Sequence, residues 1–219
     1  MGGNERKERE RQQREREILD AAEGVFIEKG FDAMTMEEVA KRAEFTKRTV
    51  YAYFGGKEDL ACAIVTRAVA LLNDLFEKAV IAPKTGFDKI KATGYAFIAF
   101  AQSESKAFAV LCRNEGGLEG SADSTHRERM GREMRRQLEI MAGAITIGIK
   151  DGSIKPALDP TLTAIYLATF SMAMMSSVKD SNQGFLSRFG ITTERYIEQG
   201  MEFFSLALRN GDTEPESRV

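Results

Sequence analysis

An all-α fold is what this sequence predicts, and three observations carry the prediction. Apolar residues recur at helical spacing along most of the 219 residues, no segment alternates as a strand does, and turn-forming clusters divide the chain into helix-length pieces. Those clusters lie at Pro83 to Gly86, Gly116 to Ser121, Asp151 to Pro160 and Ser181 to Gly190. At 43% hydrophobic, the chain has ample apolar surface for a packed core. A small N-terminal module and a larger helical domain are expected, about nine helices in all.

Residues 4–17, NERKERERQQRERE, are almost wholly charged or amide-bearing, with Glu5/Arg9 and Glu10/Arg14 placed for i, i+4 pairing. Such a run extends a helix but stays out of a core. A second reading makes it an arm whose Arg6, Arg9 and Arg11 reach a DNA minor groove. From Ile18, the positions Ile18, Leu19, Ala22, Val25 and Phe26 form one helical stripe, which Gly30 stops. Thr35 followed by Glu38 is a capping box, so a second helix of about two turns starts at Met36. After Glu44 and Phe45, Thr46 caps a third short helix from Lys47 to about Phe54, with Val50 turned back on the second. Two short helices and a tight turn make a helix-turn-helix. Gly55 and Gly56 end it, and Lys57 opens a long fourth helix through Leu60, Ile64, Ala68, Leu72 and Phe76 that Pro83 closes near Ile81. Later helices are expected near 87–101, 104–113, 124–150, 161–179 and 193–210. The domains read as a charged helical extension (1–17), the helix-turn-helix domain (18–60), a second domain (61–210) and a disordered polar tail (211–219).

Composition excludes several function classes. No apolar run approaches the roughly 18 residues of a membrane span, and the N-terminus is charged where a signal peptide is apolar, so a soluble cytoplasmic protein is expected. Cys62 and Cys112 lie in apolar stretches as buried thiols, and the single histidine, His126, reads as a solvated surface residue in a polar stretch. Neither metal ligation nor cofactor binding is indicated. The net charge of −2 argues against a nucleic-acid binder, but residues 41–57 carry Lys41, Arg42, Lys47, Arg48 and Lys57 against Glu44 alone, net +4. A local basic patch is what phosphate contact requires.

The stretch ILDAAEGVFIEKGFDAMTMEEVAKRAEFTKRTVYAYFGGKEDL, residues 18–60, resembles the N-terminal domain of the tetracycline-repressor (TetR) family of transcription regulators, above all in its T-x-x-T-V-Y-x-Y-F-x-x-K-E-x-L ending. One departure is Glu44, where the family commonly has a glycine at a turn that favours positive φ. The resemblance implies a homodimeric DNA-binding regulator, by default a repressor. It also implies that Lys47 and Arg48, at the start of the third helix, meet base edges or phosphates in the major groove. Arg48 suits a bidentate bond to guanine, and Thr49 offers a hydroxyl and a methyl. Tyr51 and Tyr53 look like the family's aromatic contact pair, Lys57 like a phosphate clamp, and Thr35 and Thr46 like caps that also approach the backbone. Val39, Ala40, Val50 and Leu60 are assigned to the core.

For the second domain, the resemblance implies a ligand cavity and a dimer seam built from the last two long helices. Candidate pocket residues are Phe97, Phe100, Phe108 and Met134, with Leu138, Met141, Tyr166 and Phe170. Candidate seam residues are Tyr166, Phe170 and Met174 on one helix and Tyr196, Met201, Phe204 and Leu208 on the other. A helix apolar on most faces has to be buried on most faces, and a second subunit supplies the partner. The partners expected are a palindromic double-stranded operator, a second copy and a small apolar effector, with no membrane. An all-α carrier or enzyme is the rival reading, but no Gly-rich phosphate loop, histidine-paired nucleophile or ligand cluster is present, so no enzyme is expected.

Overall fold

The structure, a computed structural model, describes residues 2–113, 125–179 and 183–211. Among them are ten helices and no strand: α1 (Gly2–Ala33), α2 (Met36–Arg42), α3 (Lys47–Tyr53), α4 (Lys57–Ala79), α5 (Gly86–Ser103), α6 (Ser105–Arg113), α7 (Thr125–Lys150), α8 (Pro160–Lys179), α9 (Gln183–Arg188) and α10 (Thr193–Leu208). The all-α class is as the spacing predicts, and most bounds fall within two residues of expectation. The charged run 4–17 and the stripe from Ile18 form one continuous helix, whose regular backbone ends at Gly30 (φ 78°, ψ 175°). Short α9 was not expected, because the turn signals around it outweigh six residues of helical pattern. The expected turn at 116–121 and nearly all of the expected tail lie outside the described residues.

The chain divides into two compact units. The first comprises Met1–Ala70 and Ser105–Glu133, and so takes in α6 and the start of α7 besides the helix-turn-helix. Its core joins Ile18, Ala22, Val25 and Phe26 of α1 to Val39 and Ala40 of α2, Val50 of α3, Leu60, Ile64 and Ala68 of α4, and Val110 of α6. The stripe read from sequence is thus the buried face, and burial of each large side chain contributes roughly 1.5–3 kcal/mol. Arg67 of α4 pairs with both Asp20 and Glu23, fixing α4 against α1 on the polar side of that stripe. Cys62 is buried, as expected, whereas Cys112 is partly exposed.

The second unit comprises Leu71–Glu104 and Met134–Val219. Here α5 crosses α7 at a contact that only glycines permit: a Cβ on Gly86 would stand 1.9 Å from the Gly148 nitrogen. The Asp151 carboxylate accepts the Gly86 N–H at 2.8 Å, and Thr85 caps α5 through the Asp88 N–H. Arg136 of α7 forks between Asp74 and Glu77 of α4. Met201 of α10 lies against Gly94 of α5, and Met174 of α8 against Gly200 of α10, so three helices pack through small-residue notches.

Two expectations are corrected. One helix, Pro160–Val178, is long and apolar enough to cross a membrane by length and composition, with a mean hydropathy of 1.4, because its few polar residues are serines and threonines scattered among apolar ones. His126 is not a solvated surface histidine: its side chain is only 15% exposed and its ring packs on Phe54, since the fold brings the first turn of α7 beside the end of α3.

Candidate nucleic-acid interface

The helix-turn-helix is assembled by two threonine caps and one strained turn. The Thr35 hydroxyl accepts the Glu38 N–H at 3.2 Å to start α2, and the Thr46 hydroxyl accepts the Thr49 N–H at 3.1 Å to start α3. Between them Glu44 has φ 58°, the left-handed backbone that its position predicts, and the Phe45 N–H returns to the Ala40 carbonyl at 2.9 Å. Val50 is buried against the core, which turns the opposite side of α3 outward. Lys47, Arg48 and Tyr51, within an arc of about 100°, are all exposed on that side.

The basic patch is narrower than its sequence count. Arg42 pairs with Glu28 at 2.6 Å, its guanidinium lying over Gly24 of α1, and this bond holds the Glu28 carboxyl below its usual range. Lys57, expected as a phosphate clamp, donates to the Asp32 carbonyl at 3.2 Å and sits 4.4 Å above the Phe31 ring, tying α4 to the end of α1. The Thr49 hydroxyl is shared with that of Thr46 at 2.9 Å, and Tyr53 is half-buried against the core. Among the described residues, Lys47 and Arg48 have no ion-pair partner. An exposed helix N-terminus with two unneutralised cations is suited to phosphate and base-edge contact.

Residues 18–64 match the profile of the family described as "Bacterial regulatory proteins, tetR family". The HTH-type transcriptional regulator YhgD of Bacillus subtilis is 30% identical over 165 residues, which span 74% of this chain and 82% of that protein. The chain belongs to the TetR family. As a TetR-family protein it is a DNA-binding transcription regulator. The transcriptional activator FasR of Mycolicibacterium smegmatis is 30% identical over 115 residues, and that match spans 52% of each chain. Two solved structures share the fold: FadR of Bacillus subtilis in complex with stearoyl-CoA (TM-score 0.65, 19% identity, 87% of this chain and 97% of that one) and AibR in complex with isovaleryl coenzyme A and operator DNA (TM-score 0.68, 19% identity, 87% and 97%).

The TetR-family second unit distributes the remaining candidates unevenly. Phe97, Phe100 and Met141 are buried, with the Phe97 and Phe100 rings stacked at 6.5 Å, while Leu138 is half-buried and Met134 is 39% exposed. Phe108 is buried in the first unit. Tyr166 and Phe170 are about half exposed, and stack on one another at 6.1 Å, with Phe204 next in the row at 6.3 Å. They therefore belong to an outer apolar face and not to an interior pocket. Conversely Met174, Met201 and Leu208 are buried inside the unit, and Tyr196 is half-buried. The outer face is completed by Leu162, Ile165, Phe203 and Leu206, all at least 45% exposed and none of them among the seam candidates named from sequence. On α8, apolar on nearly every side, periodicity gives no way to tell the inner from the outer face.

Proposed function

We propose that this regulator reads a palindromic operator as a homodimer through Lys47, Arg48 and Tyr51 of α3, and that an acyl-CoA or similar lipophilic effector releases it. The single observation that carries the reading is the pair of exposed, unneutralised cations at the capped start of α3. Thr35 and Thr46 contribute through their caps, Thr49 by its bond to Thr46, Tyr53 by packing on the core, and Lys57 by tying α4 to the end of α1. The extent of the reading domain is 18–60, with 61–210 as the effector and dimerisation domain. The row of exposed apolar side chains on α8 and α10 supports dimerisation, since a patch of that kind marks a partner surface. The acyl-CoA ligands of FadR and AibR, together with the buried aromatic interior around Phe97 and Phe100, support the effector class. Release needs only that the effector bind the two arrangements of the dimer unequally. Repression, a cytoplasmic location and the lack of catalysis follow from the same reading.

The test is fluorescence anisotropy on a duplex recovered from random sequence by the protein, as a salt series, beside Lys47→Ala/Arg48→Ala. Selective binding, steep in salt and lost in the double variant, is expected. Stearoyl-CoA and isovaleryl-CoA added to the complex should lower the anisotropy. Selective binding unaffected by the double variant would move the reading surface elsewhere.

A further inference from the structure

We propose that His126 is a positioning residue for DNA reading: protonated, it pairs with Asp59 and clamps the first turn of α7 onto the end of α3, so that operator affinity rises as pH falls. The proposal rests on α3 being the recognition helix.

Three observations meet at this corner of the first unit. Asp59 is buried, its Oδ2 accepts the Gly55 N–H at 3.0 Å, and its Oδ1, also buried, has no hydrogen-bond partner among the described residues. The His126 Nε2 stands 4.0 Å from Asp59 Oδ2, with the two side chains 15% and 11% exposed. The imidazole also tilts at 33° over the Phe54 ring, with centroids 5.2 Å apart, and Phe54 is the fully buried residue whose N–H closes α3 on the Val50 carbonyl. Asp59 and Phe54 hold the two sides of the turn that ends the recognition helix, and His126 touches both.

At 4.0 Å a neutral imidazole makes no hydrogen bond to the carboxylate, whereas a charged one is drawn to it where water screens little. The oxygen it faces, Oδ2, is the one that already accepts the Gly55 N–H, so a charged imidazole is drawn to the atom that holds the turn. The other groups around this crevice are Glu8, Arg11 and Glu15 of α1, Tyr53 of α3 and Arg129 of α7. Arg127, Glu58 and Asp59 also act electrostatically on the neighbouring Cys62, whose thiol burial pushes up. Among all these, Asp59 is the one buried acceptor. His126 is the only histidine in the chain, and histidine is the side chain whose ordinary titration falls between pH 5 and 8. A pH response in that window therefore has one side chain as its natural source.

The experiment measures affinity for the selected duplex at pH 6, 7 and 8 and constant ionic strength, for wild type, His126→Gln and Asp59→Asn, each checked for native helicity. Wild-type affinity should rise at least about fivefold from pH 8 to pH 6, the low end of an ordinary coupling between two sites, and both variants should be flat. A flat wild type overturns the proposal. So does a full response in Asp59→Asn, which would mean that the histidine charge attracts DNA without pairing. Thermal unfolding of the full chain reads the pair without DNA: His126→Gln should lower the melting temperature by about 2–4 °C more at pH 6 than at pH 8. Equal lowering at both would make His126 a packing residue only. If no duplex is bound selectively at any pH while the melting pattern holds, the pair stands and the reading of α3 falls, and with it the coupling to DNA.

Discussion

Gly86 and Gly148 touch backbone to backbone: a Cβ on Gly86 would lie 1.9 Å from the Gly148 nitrogen and 2.3 Å from its Cα. Neither backbone can move aside without displacing its whole helix. Gly86→Ala should therefore destabilise the protein by about 1–3 kcal/mol in urea unfolding, against the sign of helix propensity. The matched control is Gly143→Ala on α7, where a Cβ meets nothing within 4 Å. That change should stabilise by about 0.5–1 kcal/mol.

Glu44 occupies the left-handed region at φ 58° in the turn between α2 and α3. A side chain there costs about 1 kcal/mol relative to glycine. Glu44→Gly should raise the urea midpoint accordingly and preserve discrimination between selected and random duplex. Removing a carboxylate beside Lys47 and Arg48 should also slightly strengthen binding to both. An unchanged or lower midpoint would place the strain elsewhere.

Ala40 is buried where α2 packs on the core, and its carbonyl receives the Phe45 N–H that sets the turn. Ala40→Leu has no space to enter without moving α2 from α3, an overpacking cost of about 1–3 kcal/mol. Selective DNA affinity should fall although no contact residue has changed. Full affinity together with full stability would contradict this packing.

The Asp151 carboxyl is held below the ordinary aspartate value: burial raises it, but bonds from Ser153 and the Gly86 N–H outweigh that effect. A lowered native value means that the stabilisation is present above the unfolded aspartate range and is lost as pH falls through the native value. Asp151→Asn should thus lower the melting temperature at pH 7, and its deficit should shrink as pH drops below 4. A deficit constant with pH would remove the charge from the account.

Leu206 is 65% exposed and Phe203 68% exposed on the outer face of α10. Leu206→Asp should convert the dimer to monomer in sedimentation equilibrium and lower operator affinity, with helicity retained. A monomeric wild type would overturn the seam.

The reading head was legible because its signals are local. Caps at Thr35 and Thr46, the glycine break after Phe54 and the stripe from Ile18 each act within a turn or two of the chain, and the structure uses each as read. The positions of Lys57 and His126 were not legible, since each is set by a partner distant in sequence: Asp32 for the first, Phe54 and Asp59 for the second. The same holds for α8, where composition announces a buried helix but the choice between its faces is made by Gly200 and Met174.

The exposed apolar row on α8 and α10 has a quantitative consequence for gene control. If two chains must meet before two heads are presented, then at low expression the concentration of competent protein grows as the square of the concentration of chain. A twofold change in synthesis then shifts the occupancy of a weakly filled operator about fourfold. Gene dosage, and not only effector, becomes an input to the circuit.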